Sequence, residues 1–432
     1  MAVLAIYLEL SLPIHDDVFI PHIFGLFLAC ALAPAVRSWK RVALALVLLG
    51  IFCAFNLATT TFGVVSVVKK LKSVVYFVYL FGIAVVIMGA GHIWREKQAR
   101  RITAIIFLTA GLAMLSFGAV EQMTGLRDIS DRFRNVAYGE LNADNESRDL
   151  ELLDKVRPKA FAKETSFASR GVSVLLLIGA LTSTGLAPRL LALAGVGAAT
   201  AVFGSPIPAG FLVAMLYGIS MPRRIQSRRA ICLYFIALAA VAALSLGVAW
   251  MFSPVLQRRV ELLTDLSDPS TYMRSGFMYE VAGKALAWNP VSGVGIGGED
   301  ELSSEFVLPL LGHVSTNTLI NNAMWSIPFF TGLFGSFIAI VLLLAMALRV
   351  EFRHSAVFVL TILLILNSTG SIHSSSVWLV GALLFALLRA EQAPKGQRIL
   401  LRKTGEVRRV KPKSPRPEPA PACLTEGSPS NA

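Results

Sequence analysis

Two stretches of this chain carry residue types and spacings suited to chemistry at a membrane surface. Asp268-Pro-Ser-Thr-Tyr-Met-Arg274 runs on to Trp288-Asn-Pro-Val-Ser-Gly-Val-Gly-Ile-Gly-Gly298, and His313-Val-Ser-Thr-Asn317 follows just ahead of a long apolar run. An arginine, a glycine turn containing Gly295 and Gly297, and a histidine therefore stand at the mouth of a span. Charged and titratable groups are costly to hold at a bilayer surface, which makes them candidates for binding an anionic, lipid-borne ligand. The second stretch, Arg157-Pro-Lys-Ala-Phe-Ala-Lys-Glu164, places another cation and a carboxylate ahead of an apolar run that begins near Gly171.

The local chemistry of each group leaves more than one use open. Asp268 is a good N-cap, Pro269 suits a first helical turn and Asn289-Pro290 ends the pattern, so residues 269–288 are predicted to form a helix. Arg274 then lies near a helix start, where free N–H groups and the dipole also favour an anion; the alternatives are a snorkelling arginine or an ion pair with Glu280 or Asp268. His313 and Asn317 are one helical turn apart and share a face. A neutral imidazole there can take a proton from a hydroxyl, or serve as a polar anchor. The glycine turn neither follows a strand nor carries the lysine of a P-loop. The carboxylates Glu299, Asp300 and Glu301 read as a solvated cluster rather than a metal site. Arg127, Arg132 and Arg134 add to the basic character upstream, and an outward basic surface of this kind suits a lipid pyrophosphate or anionic head groups.

Those groups must be positioned by a membrane protein. The 432 residues are 55% hydrophobic and 16% charged, with a mean hydropathy of +0.65, more apolar than a water-soluble surface can cover. Apolar runs long enough to cross roughly 30 Å of hydrocarbon as helices recur near 18–36, 42–62, 73–93, 102–120, 171–187, 189–204, 206–221, 229–252, 316–348, 355–371 and 374–390. The expected fold is an all-α polytopic membrane protein with 11–12 transmembrane helices. Gly204-Ser-Pro-Ile-Pro208 splits 189–221 into two short helices that either both cross or dip and return. The stretch from Ala2 to Pro13 is too short to span, and it lacks the basic region and small-residue cleavage site of a signal peptide.

Orientation follows from the basic loops. Arg37-Ser-Trp-Lys-Arg41, 95–101, 223–229 and 349–353 fall on one side, the cytoplasmic one, as does the tail; Lys69-Lys-Leu-Lys72 is the exception. The net charge of +13 is thus mainly a topology signal and excludes a need for nucleic acid. The resulting organisation is 1–120 N-terminal membrane helices, 121–170 a first extracytoplasmic loop, 171–252 central helices, 253–314 a second extracytoplasmic loop, 315–390 C-terminal helices and 391–432 a basic, disordered cytoplasmic tail. Cys30, Cys53 and Cys232 lie in spans and Cys423 in the tail, a pattern that relies on no disulfide.

In three blocks the chain resembles the O-antigen polymerase and ligase superfamily of bacterial membrane glycosyltransferases. Arg157 to Glu164 is similar to that family's Arg-x-x-Gly-x-x-x-(Glu/Asn)-Pro block, with Ala160 and Thr165 standing where Gly and Pro are usual. Arg274 to Gly297 resembles its Arg, Trp, Asn-Pro and Gly-x-Gly-x-Gly block, and His313 to Gly335 its His-x-x-x-Asn block ending in Gly-x-x-Gly. The resemblance implies transfer of a glycan from an undecaprenyl diphosphate carrier at the outer face of the inner membrane, without nucleotide sugar, cofactor or metal. It implies that Arg157 and Arg274 neutralise the diphosphate. His313 acts on the acceptor hydroxyl or binds a phosphate oxygen, Glu164 is a second candidate base, and Asn317, Gly295 and Gly297 help bind substrate. Implied partners are the lipid-linked glycan, a polysaccharide flippase, a chain-length regulator and membrane lipids. The expectation is a polymerase of exopolysaccharide or O-antigen repeat units; the alternatives are a ligase that passes glycan to a lipid A core and a transporter or flippase of lipid-linked sugars.

Overall fold

The computed structural model describes residues 2–7, 20–60, 65, 67–123, 126–138, 149–150, 156–220, 276–298, 322–350, 352–369, 371–372 and 374–390, with six single residues between 247 and 261. They form an all-α structure with no strand among the described residues. The helices are α1 (Ala2–Tyr7), α2 (Ile20–Leu32), α3 (Trp39–Thr59), α4 (Val67–Gly89), α5 (Lys97–Met123), α6 (Leu126–Tyr138), α7 (Thr165–Thr182), α8 (Leu186–Phe203), α9 (Ile207–Ser220), α10 (Phe277–Trp288), α11 (Ala323–Leu348), α12 (Phe352–Ser368) and α13 (Ser375–Ala390). Short 3-10 turns at Ala33–Ala35 and Gly91–Arg95 follow α2 and α4.

Six of these helices are long and apolar enough to cross a membrane, and α2, α9, α12 and α13 are shorter apolar helices. The chain is therefore a multi-pass membrane protein. Ten of the expected spans have a helix here; apart from those single residues, 229–252 and the loop segment before Gly276 lie outside the described residues, as does the tail 391–432. The 189–221 segment forms two helices, because Gly204 (φ 52) closes α8 in a left-handed turn and Pro206 and Pro208 start α9 afresh.

The helices divide by what they touch. Along its span α7 is 89% buried, whereas α3 is 22% buried and shows Leu44, Val47, Leu48 and Ile51 outward. Small residues make the central position of α7 possible. A side chain added at Gly179 would come 2.6 Å from Leu108 of α5, and one at Gly111 of α5 would come 2.8 Å from Leu176 of α7. With lipid as solvent, such close approach of helices replaces the hydrophobic driving force between them. α7 begins at Thr165, six residues before the apolar run suggests, since Glu164 is the extended residue that precedes the helix. Arg170 is consequently inside the helix.

The ends of the bundle differ in charge. Arg389, in the last turn of α13, lies close enough to Arg349, Arg41 and Arg95 for their charges to act on it. Arg100 Nη2 donates to the Leu181 carbonyl at the C-terminal end of α7 (3.3 Å), and Arg189 Nε to that of Ser183 (3.0 Å). These contacts define a basic end. The loop 156–164, which leads into the other end of α7, and Thr60, which closes the other end of α3, belong to the opposite end.

Candidate functional site

At the opposite end, two segments singled out by sequence have defined geometry. The first follows α10, whose C-cap Asn289 adopts an extended conformation and donates its N–H to Ala285 O (2.9 Å). Residues 292–298 then turn back into the protein and are buried throughout. Gly295 (φ 81) and Gly297 (φ 84) occupy left-handed backbone that is costly for other residues. Space is equally demanding, because a Cβ at Gly295 would meet Thr60 Oγ1 at 2.3 Å and one at Gly297 would meet Ser73 Oγ at 2.6 Å and Lys70 Cα at 3.1 Å.

This turn fills a break in α11. Pro328 lacks an N–H, and Gly332 (φ 62, ψ −162) interrupts the helical backbone, which frees carbonyl and N–H groups within an apolar helix. The turn satisfies them: Val294 N–H donates to Phe329 O (2.9 Å), Leu333 N–H to Pro290 O (2.8 Å) and Phe334 N–H to Val291 O (3.4 Å). Asn56 of α3 completes the joint. Its Nδ2 donates to Ser292 O (3.3 Å) and Phe330 O (3.2 Å), and its Oδ1 accepts from Ile296 N–H (2.9 Å). Asn289 Nδ2 donates to Thr59 O (3.1 Å), which ties the start of the turn to the same helix end.

Lys70, in the first turns of α4, is fully buried beside Gly297. It belongs to the Lys69-Lys-Leu-Lys72 group that stood out against the orientation pattern. Its place is the wall of the glycine turn, so that group is not a loop of the basic end.

The second segment is the loop 156–164. The Arg157 guanidinium grips Asp149 with two bonds, Nε to Oδ2 (3.0 Å) and Nη2 to Oδ1 (2.7 Å), and both side chains are buried. Glu121, at the end of α5, accepts from Ala160 N–H (2.7 Å) and Lys159 N–H (3.3 Å), while Tyr7 Oη of α1 donates to Ala160 O (2.8 Å). Ala160 (φ 44) and Phe161 (φ 66) are both left-handed, an uncommon state for alanine and a strained one for an aromatic residue. The Phe161 ring stacks on Phe117 (4.2 Å between centroids) and meets Phe133 edge-on (5.3 Å), and its N–H donates to Ser130 Oγ (3.2 Å). Glu164 is half-buried and accepts from Ser166 Oγ (3.1 Å). Arg157 and Glu164 thus share a loop and engage Asp149 and Ser166 respectively.

A polar seam connects this loop to the start of α11. In α7, Ser169 Oγ donates to Ser205 Oγ at the α8–α9 turn (3.1 Å), and Arg170, 3% exposed, lies over the Phe167 ring (4.5 Å) and donates to the Ser368 carbonyl at the end of α12. The next residue, Thr369, accepts from Ala323 N–H (3.0 Å), and Asn322, whose side chain caps α11, bonds to Asn367 (2.7 Å). Loop 156–164, α7, α12 and the head of α11 therefore meet at one end.

Arg274, His313 and Asn317 lie outside the described residues, as do Glu299, Asp300 and Glu301. Among the described residues no cluster of histidine, cysteine or carboxylate side chains could hold a metal ion. Sequence reasoning missed Asn56, Glu121, Asp149 and Arg170. The first has a readable signal, an amide near the end of an apolar span; Arg170 is hidden by the same apolar run that sets the span's apparent start. The chain matches no protein-family model and no curated protein.

Proposed function

We propose that this chain is a membrane glycosyltransferase that joins undecaprenyl-diphosphate-linked repeat units of an exopolysaccharide or O-antigen, working at the outer face of a bacterial inner membrane. The observation that carries the reading is a shared location. The glycine turn with Gly295 and Gly297, the loop with Arg157 and Glu164, and the buried cations Lys70 and Arg170 all belong to the end opposite the arginine-rich one. A lipid diphosphate is already a good leaving group, so what such a transfer asks of a protein is fixed positive charge and an oriented acceptor hydroxyl.

On this reading Arg274 holds the diphosphate through a planar fork that lysine lacks, and His313 activates or orients the acceptor. Arg157, tied to Asp149, fixes the loop that carries Glu164. The position of the charges also supports transfer at a surface over transport through the bilayer. Among the described residues, the charged side chains of the six long helices fall within the first or last two turns.

The test is His313→Ala at normal expression. A polymerase lacking this group accumulates single repeat units on the carrier lipid at the outer leaflet and releases little long glycan, a pattern read by extracting and sizing the carrier-linked sugars. Long chains on the carrier would make the protein a ligase. Single units trapped on the inner leaflet would make it a transporter, and unchanged polymer would remove His313 from the mechanism.

A further inference from the structure

α6 buries only part of its apolar side in the protein. Successive residues of a helix turn by about 100°, which sets Val136, Ile129, Phe133, Leu126 and Ala137 next to one another in that order around the axis, with Arg127, Asp128, Asp131 and Asn135 on the remaining side. Protein covers one flank of the apolar arc, where Ala137 is 3% exposed, Phe133 half-buried and the adjoining Ser130 fully buried. The other flank is bare. Ile129 is 54% and Val136 77% exposed, two turns apart along the same line, and Arg132 is exposed at the edge next to Val136.

An aromatic stack sets the direction of that bare flank. Phe133 meets the Phe161 ring edge-on (5.3 Å), and Phe161 stacks on Phe117 of α5 (4.2 Å), about one turn inside the end of that span at Glu121. The side of α6 that carries Phe133 therefore looks back along α5 toward the bilayer, and Ile129 and Val136, its neighbours around the helix, look the same way. The polar side faces away: Asp128 and Asn135 are exposed, and Asp131 pairs with Arg127 (3.8 Å) and Arg134. α6 starts at Leu126, three residues after α5 ends at Met123, so its first turn stays close to the membrane surface that α5 reaches. A short amphipathic helix tied to the end of a span, with its apolar side turned to the membrane and a basic residue at the border, is built to lie in the headgroup layer.

We infer that α6 is an interfacial helix seated in the leaflet at this end of the bundle, with Ile129 and Val136 entering the acyl boundary and Arg132 among the lipid phosphates. This seat does not depend on the glycosyltransferase reading. Its consequence falls on the loop 156–164. Ser130 Oγ accepts the Phe161 N–H (3.2 Å) and Phe133 braces the Phe161 ring, so the bilayer holds the helix that holds the loop. The left-handed Phe161 (φ 66) is thus kept in place from outside the protein as well as from within.

The experiment uses the full chain in nanodiscs of phosphatidylcholine and phosphatidylglycerol, with the photocrosslinking residue p-benzoylphenylalanine in place of Val136, Ile129 or Asp128 and the adducts read by mass spectrometry. Val136 and Ile129 should be the positions that yield lipid adducts, well above the yield at Asp128 on the polar side. Lipid adducts absent at both, or equally abundant at Asp128, would overturn the seat, and an adduct with a second copy of the chain would replace the bilayer with a protein partner. Val136→Glu places a charge at the acyl boundary, so in the same nanodiscs the Phe161 amide should exchange its hydrogen about tenfold faster than in wild type. Asp128→Gln should leave that rate unchanged. Equal protection of Phe161 in wild type and Val136→Glu would overturn the link from the leaflet to the loop. Should Val136→Glu not fold, Val136→Asn carries the same comparison with a smaller expected gain in rate.

Discussion

The glycine turn 289–298 and the loop 156–164 stand at the same end of the protein and meet the same conformational demand by different means. Each places residues in left-handed backbone inside the protein. The turn uses glycines and is held by neutral backbone bonds to the broken α11 and by two amides, Asn56 and Asn289. The loop uses Ala160 and Phe161 and is held by ions, with Glu121 receiving two backbone N–H groups and Arg157 paired to Asp149. The hydrogen bonds named for the first arrangement are all to uncharged groups. The second depends on buried charges staying paired, so it should be the more fragile of the two.

The largest effect is therefore expected in the loop. Asp149→Ala leaves the Arg157 guanidinium buried without its carboxylate and should cost about 3–5 kcal/mol, seen as a lower unfolding temperature in detergent. Asp149→Leu combined with Arg157→Met should recover most of that loss, because removing both charges leaves none unpaired. A double variant no better than the single would mean that Arg157 does not depend on Asp149. Gly297→Ala comes next, at about 2–4 kcal/mol, since the added methyl meets Ser73 and the backbone of Lys70 in a left-handed turn. Thermal unfolding within error of wild type would show that the turn can move away from α4.

Asn56→Leu should cost about 1–3 kcal/mol by stranding the Ile296 N–H. Asn56→Asp keeps the acceptor but turns a second carboxyl oxygen on the Ser292 and Phe330 carbonyls, so it should cost at least as much, and hydrogen exchange at Ile296 reports whether its N–H stays bonded. The smallest effect belongs to Ala160→Gly. Relief of the left-handed strain of about 1–2 kcal/mol is offset by the entropy of glycine and the lost methyl, so the net change should stay within about 1 kcal/mol. A larger loss would show that the Ala160 methyl packs harder than its backbone is strained.

Much of the helical frame was legible because apolar length is a direct physical requirement of a bilayer. Where it misled, polar residues lay inside a helix or apolar ones outside. Arg170 and the Thr165 start of α7 were missed since a cation held over Phe167 and against a helix-end carbonyl breaks the apolar run without breaking the helix. The glycines of 293–297 were visible as a turn, but not their partner. Nothing local to Gly332 says that the helix on either side of it bonds through its backbone to residues 290–294. Asp149 and Glu121 were equally hidden, because a buried ion pair or a carboxylate bonded to main chain leaves no periodic trace. Glu164 and Arg157 were chosen by type and spacing, and the bonds they make, to Ser166 and Asp149, are ones that spacing does not reveal.

The break in α11 also bears on how the chain is made. Its missing bonds are supplied by residues 290–294 and by Asn56, all of which leave the ribosome before Gly332 does. At ordinary synthesis rates the turn exists for on the order of seconds before the broken helix needs it. α11 can thus enter the bilayer with partners already waiting for its exposed carbonyls, and never has to cross hydrocarbon with them bare. A permuted chain that began after residue 298 and ended with the turn would reverse that order, and the same helix would then depend on the insertion machinery to shelter it until its partner arrived.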